Sequence, residues 1–277
     1  GIGEQSAALI ERLLAAGHGP RTAAGDDVRN LMLSPAAGID RQMRVDTRAL
    51  AELILDTLQS HSRFHELSAK FAVQLDGGEA LAMLEHPHDL WLSAFERDGE
   101  RFWAFGLAGC PTDRAVGAVA AENGHALVVA VLELFLQLAR PEQTRMRHLL
   151  DELPMLAFLD ALRTRVPIKS VSQWQRTAVA RDLHIGAHPQ HTSGRVYVGA
   201  VPPLGRLDPA MLRAAAQLAR QLAKDAVHRL GSRAVEQARG AAFGGGVLGN
   251  QCVGKQEIEV GDGEFADGGR WGRIHAA

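Results

Sequence analysis

The chain has 277 residues, 46% hydrophobic and 22% charged, with a formal net charge of −2. That supplies enough apolar residues for one large domain or two smaller ones, and the near-neutral balance argues against a disordered chain and against a general nucleic-acid binder, which would carry a basic excess. The longest apolar run, Ala126 to Leu138, contains Glu133 and Gln137 and falls short of a membrane span; the N-terminus has no signal-peptide pattern; and Cys110 and Cys252 form no metal or redox spacing, so a reducing cytoplasm with no membrane partner is expected.

Gln5 to Ala16 reads as a helix with an apolar stripe of Ala8, Leu9, Ile10, Leu13 and Leu14, ended by Gly17. It is too short to be stable alone and is expected to pack on something distant or missing. Gly19 to Asp27 reads as a polar connector, and Val28 to Leu33 as a strand. The strand runs into Ser34-Pro35-Ala36-Ala37-Gly38-Ile39-Asp40, a loop in which Pro35 breaks regular structure and Gly38 permits positive φ. Arg29, at the start of that strand, offers a planar fork of donors suited to carboxylates, although a surface arginine equally pairs with a neighbouring acid.

Asp46 is placed to cap a helix from Thr47 to about Ser60, with Leu50, Leu53, Ile54 and Leu58 on one face. Phe71, Val73 and Leu75 alternate as a half-buried strand before an Asp76-Gly77-Gly78 turn, and Lys70 stands at its entry, where a lysine is ordinarily just solvated. Asp89 to Phe95 and Arg101 to Leu107 read as a hairpin closed by Asp98-Gly99. Gly106 to Pro111 ends the second strand in small residues, either for close approach of a ligand or for a tight corner. Two strong helices follow, His125 to Ala139 and Arg145 to Arg163, the second kinked at Pro154 and carrying a solvated basic group of Arg145, Arg147 and His148.

This order of elements implies a mixed sheet with helices collected on it, an α+β plan. Val166 to Gly194 reads as a linker. Arg195 to Val201 reads as a strand, Pro202 to Leu207 as a turn, and Asp208 as the cap of a helix to about Leu230 with Met211, Leu212, Ala215, Leu218, Leu222 and Val227 inward. That is half of a ferredoxin-like unit, and the N-terminal helix could be the remnant of an equivalent one. Gly240 to Ala277 has no period and is not assigned structure.

Familiar site motifs fail. Gly244 to Gly249 has no strand before it and no helix after it, so it is no dinucleotide fingerprint. His86-Pro87-His88 has no third ligand nearby, and Gly186 and Pro189 break the helix that would align His184, His188 and His191. Ser34 has no His and Asp placed for a triad. The residues alone reach an α+β protein with an anion-binding face.

Several stretches in order resemble one family. Arg29-Asn30 with Ser34 to Asp40 resembles a segment of the nitrite and sulfite reductase haemoproteins, and more closely of their relatives, the precorrin-3B synthases. Leu67-Ser68-Ala69-Lys70-Phe71, Asp76-Gly77-Gly78, Asp89-Leu90-Trp91-Leu92, Phe105 to Gly109 and Pro203-Leu204-Gly205-Arg206-Leu207 are similar to later segments of the same family. The resemblance covers about Ser6 to Arg229. It implies a fold of a reductase-like mixed-sheet domain followed by a ferredoxin-like half repeat, divided as 1–24 (remnant of a first half repeat), 25–165 (reductase-like domain), 166–194 (linker), 195–230 (partial second half repeat) and 231–277 (glycine-rich tail expected to be disordered).

It also implies a tetrapyrrole rimmed with carboxylates in a basic cleft, with Arg29 and Lys70 as clamping cations and Asn30, Ser34 and Arg206 as further candidates. The implied activity is that of precorrin-3B synthase, the oxidative conversion of precorrin-3A in cobalamin biosynthesis; the alternatives are a sirohaem-dependent nitrite or sulfite reductase and a non-catalytic tetrapyrrole- or partner-binding relic. Two departures matter. The reductases carry a second lysine two residues after the first, where this chain has Ala72, and the four cysteines of the family's 4Fe-4S cluster are absent. The chain is therefore expected to be an incomplete form, inactive alone, with no cofactor of its own and with a cysteine-bearing second half or an electron donor as partner.

Overall fold

The computed structural model describes residues 2–17, 19–20, 22–171, 173–179, 185–193, 195–199 and 205–225. It divides into two units. The first holds Gly1–Gly38 and Gln42–Val179, and the second holds Ile39–Arg41 with the described part of Ala180–Ala277. The expected tail lies outside the described residues.

The first unit is built on a five-stranded sheet whose spatial order is its chain order. Strands β1 (Leu31–Leu33), β2 (Val73–Asp76) and β3 (His88–Arg97) run parallel. Strands β4 (Glu100–Gly109) and β5 (Gly117–Ala120) complete the sheet antiparallel. Helices α1 (Ile2–Ala15), α2 (Ala23–Asp26), α3 (Arg48–Ser60), α4 (Gly124–Leu138), α5 (Met146–Leu150) and α6 (Met155–Arg163) accompany it. This is the mixed α+β architecture that the order of elements predicts.

Period-two alternation sorts the strand residues between two faces. Val73, Leu75, Leu90, Leu92, Trp103, Phe105 and Val119 belong to one buried cluster with Ile54 and Leu58 of α3, Leu127, Val131 and Phe135 of α4, Met146 of α5 and Phe158 and Leu162 of α6. Each such side chain is worth about 1.5–3 kcal/mol when fully buried. Alternate positions, Phe95, Phe102, Ala104 and Ala118, form a second, smaller cluster with Val171. The Asp98-Gly99 turn closes β3–β4 as expected, with φ of 56° and 79°, the primed geometry that matches strand twist.

The structure departs from the sequence reading at several points. Thr22 accepts the Gly25 N–H at 3.0 Å and caps the short α2 inside the supposed connector. Leu53, read on the apolar face of its helix, is 47% exposed. Strand β5 has no counterpart in the sequence reading, since Gly-Ala-Val-Ala carries little strand signal. Pro154 separates α5 from α6 outright, since it cannot continue a helix. Helix α1 leaves the Leu9, Ile10, Leu13 and Leu14 stripe exposed, which does not depart from the expectation that it packs on something distant or missing. The stretch Ala121–Leu138 reaches 18 residues at a mean hydropathy of 1.2, longer than the run counted from sequence; it is apolar because α4 packs into the sheet's core.

The second unit contains an antiparallel pair, β6 (Gly186–Pro189) and β7 (Val196–Gly199), and helix α7 (Pro209–Asp225). Strand β6 falls within the stretch read as a linker, and Val166 and Val171 of that stretch are buried. Asp40 bridges to Gln190, and the Ile39 carbonyl accepts the His191 N–H at 2.8 Å. Asp208 caps α7 as expected, accepting the Ala210 and Met211 N–H groups at 2.7 and 2.8 Å. Leu212, expected inward, is 58% exposed.

Candidate functional site

Strands β1 and β2 run parallel with Leu31 opposite Val73, so the residues that precede them share one end of the sheet. Arg29, Asn30 and Lys70 all lie at that end. The Asn30 carbonyl accepts the Val73 N–H at 2.9 Å, and its side-chain amide donates to the Ala69 carbonyl. Asn30 thus joins the two chain segments that carry the cations.

Arg29 directs Nε and Nη2 to Asp26 Oδ1, at 3.2 and 2.5 Å, across an exposed pair. The remaining terminal nitrogen, Nη1, lies outside that pairing. Lys70 is exposed, and its ammonium has no partner among the described residues. Its own backbone N–H is held at 3.2 Å by the Ser68 hydroxyl.

Ser34 is elsewhere. It follows the exit end of β1, is 7% exposed, donates its hydroxyl to the Leu81 carbonyl at 2.5 Å and accepts the Ala36 N–H at 3.0 Å. It pins the loop that the sequence reading singled out. Arg206 belongs to the second unit, exposed just before α7; Pro202, Pro203 and Leu204 of its turn lie outside the described residues. The sheet end thus gathers three of the five candidates.

Two buried ion pairs were missed. Asp89, 2% exposed, receives Arg145 Nε at 2.8 Å, together with the N–H groups of Ala72 at 2.9 Å and Met146 at 2.7 Å. Arg145 is therefore no member of a solvated basic group. Asp76 receives Arg176 Nε at 2.9 Å, the Gly78 N–H at 3.0 Å and the Ser93 hydroxyl, while Arg176 Nη2 reaches the Glu79 carbonyl at 2.7 Å. An acid opening an apolar strand, as Asp89 opens Leu90 to Phe95, was the available signal, since a carboxylate there must find donors.

The histidines behave as structure. His88 is 3% exposed. Its Nδ1–H donates to the His86 carbonyl at 2.8 Å, and burial pushes its pKa down to about 4. His188 packs its ring on Tyr197 at 5.1 Å. Burial first, then the carboxylate of Asp40, push the Tyr197 phenol up to about 12. His184 lies outside the described residues. Among the described residues, no group of three or more His, Cys, Asp or Glu could hold a metal ion.

Comparison with known proteins defines the class. Residues 24–170 match the model of the nitrite and sulphite reductase 4Fe-4S domain, and residues 188–234 match that of the nitrite/sulfite reductase ferredoxin-like half domain. The chain belongs to the nitrite and sulphite reductase 4Fe-4S domain family. Its relatives include the ferredoxin–nitrite reductase of Synechococcus elongatus, 28% identical over 233 residues, which cover 78% of this chain and 45% of that protein. The chloroplastic ferredoxin–nitrite reductase of Zea mays is 30% identical over 244 residues, 76% of this chain and 41% of that one. Among solved structures, the Mycobacterium tuberculosis NirA protein shares the fold, with a TM-score of 0.54 at 18% identity over 68% of this chain and 36% of that one.

The chain spans less than half the length of these curated relatives. The expected family and fold are thus found, and the relatives carry reductase names rather than that of precorrin-3B synthase. The matched 4Fe-4S stretch contains Cys110 alone, and the whole chain has two cysteines. The four thiolates of a cluster do not fit this chain.

Proposed function

We propose that the chain is the tetrapyrrole-binding portion of an oxidoreductase of the nitrite or sulphite reductase type, holding the carboxylate rim of a tetrapyrrole of the sirohaem class. The observation that carries this reading is the convergence of Arg29, Asn30 and Lys70 at the entry end of the parallel pair β1–β2. Lys70 supplies an uncommitted point charge. Arg29 supplies Nη1 and can exchange Asp26 for a ligand carboxylate, because an exposed pair of this kind is worth only about 0–1 kcal/mol. Asn30 orders the backbone between them. When bound, the iron tetrapyrrole would supply the multi-electron redox chemistry of the class. An electron donor and a cysteine-bearing further polypeptide are the partners this reading requires.

A second reading, precorrin-3B synthase, is favoured by one position. Ala72 places a methyl group where the resemblance has the reductases carry a second lysine, and its N–H and carbonyl are both bound by Asp89. One fewer cation suits a related tetrapyrrole held as substrate.

Fluorescence titration of the purified chain with uroporphyrin, an octacarboxylate, tests the shared core of both readings. Saturable binding weakened about tenfold or more by Lys70→Ala, and also weakened by Arg29→Ala, is the expected result, each lost contact being a hydrogen bond to a charged group. Binding unchanged in both variants overturns the proposal. Arg206→Ala, measured alongside, asks whether the second unit contributes a cation.

A further inference from the structure

The entry edge has a support that the binding reading does not use. The backbone from Ala69 to Val73 is held from both sides. On the β1 side, Asn30 takes the Ala69 carbonyl with its amide and the Val73 N–H with its carbonyl. On the β3 side, Asp89 Oδ2 accepts the Ala72 N–H at 2.9 Å, while the Ala72 carbonyl accepts the Asp89 N–H at 2.9 Å and the Leu90 N–H at 3.3 Å. Between these clamps Phe71 is 4% exposed, with its ring 4.7 Å from that of Phe135. Lys70, one residue before that anchor, is an exposed residue of this held segment, and its side chain is the one charged group there.

Asp89 is the centre of this arrangement. Its two oxygens together accept the Ala72 N–H, the Met146 N–H and the Arg145 guanidinium. A buried carboxylate is tolerated only when it is paired and fully hydrogen-bonded, and these contacts meet that condition. They also tie three elements to one point: the approach to β2, the start of β3 and the start of α5. An ion placed on a rigid backbone loses less side-chain and chain entropy on meeting its ligand than one on a mobile loop.

We infer that Asp89, neutralised by Arg145, is the positioning residue for Lys70 in anion binding. The inference rests on the tetrapyrrole-binding reading and deepens it. Asp89 touches no ligand in this account; it acts through the Ala72 backbone, two residues from Lys70. Asp89→Asn removes the charge that pairs with Arg145 and turns one of the two acceptor oxygens into an NH2, so the Ala72 N–H, the Met146 N–H and the guanidinium compete for one oxygen, the Ala72 clamp loosens and the reach of the lysine becomes less defined.

A double-mutant cycle separates positioning from general support. Uroporphyrin affinity is measured for the full chain, Lys70→Ala, Asp89→Asn and the double variant, with Arg145→Lys as a milder change in case Asp89→Asn does not fold. Amide hydrogen exchange at residues 69–73 reports the clamp directly. We expect Asp89→Asn or Arg145→Lys to weaken binding several-fold in the parent and by less than twofold on the Lys70→Ala background, with faster exchange at Ala72. An equal loss on both backgrounds, or unchanged affinity with an opened clamp, overturns the inference while leaving the binding reading intact. No effect of Lys70→Ala itself also overturns the inference, and the binding reading falls with it only where Arg29→Ala is without effect too.

Discussion

The two ends of the parallel strands β1 and β2 carry the same kinds of residue and use them differently. At the exit end, Ser34 and Asp76 are buried and their hydrogen-bonding capacity is spent inside the protein, on Leu81, Ala36, Gly78, Ser93 and Arg176. At the entry end, Asn30 is likewise spent on backbone and Asp89 on backbone and Arg145, but among the described residues the Lys70 ammonium and one nitrogen of Arg29 have no partner. The type of a polar residue therefore says little about its role. What distinguishes a binding edge from a structural one is donor capacity that the fold leaves unused.

That contrast can be broken most forcefully at the exit end. Arg176→Ala leaves the Asp76 carboxylate buried without its cation and should cost about 3–5 kcal/mol, read as a lowered denaturation midpoint in urea. A loss below about 1 kcal/mol would mean that this end is not the structural one. Acid sharpens the comparison next. The folded pKa of His88 lies near 4, below its ordinary value of 6.5, so the unfolded chain binds more protons between those values. Stability from this group is complete above about pH 6.5 and is lost as pH falls towards 4, by about 3 kcal/mol at most. His88→Asn, which keeps a donor near the His86 carbonyl, should flatten that part of the profile. Ser34→Ala should cost about 1 kcal/mol through the lost bond to Leu81 and leave uroporphyrin affinity unchanged, whereas Lys70→Ala should change stability by less than about 0.5 kcal/mol and weaken binding.

Much of the architecture was legible in the sequence because it rests on local signals. Alternation marked Phe71 to Leu75, Asp98-Gly99 marked the turn between the two long strands, and the apolar face of α4 was plain. What stayed hidden depends on partners distant in the chain. Arg145 looked like surface charge because Asp89 lies 56 residues away. Arg176 sat in an apparent linker because its acid is 100 residues earlier. Strand β5 was hidden by small residues, which are selected by close packing rather than by strand propensity; a Cβ on Gly117 would lie 2.6 Å from Ile168. At the candidate site, Arg29 and Lys70 came from resemblance. Their spacing in sequence carried no sign that parallel pairing would bring them to the same end of the sheet, or that Ser34 would stand at the opposite end.

Lys70 gives the most direct test of the central claim. Acetylation of lysine side chains, followed by peptide mass spectrometry, can be run with and without saturating uroporphyrin. Lys169, near Glu100 at 3.8 Å and over the Phe102 ring at 4.4 Å, serves as the internal reference. The account predicts that Lys70 is strongly protected while Lys169 reacts as before. Equal labelling of Lys70 in the presence of bound uroporphyrin would contradict it.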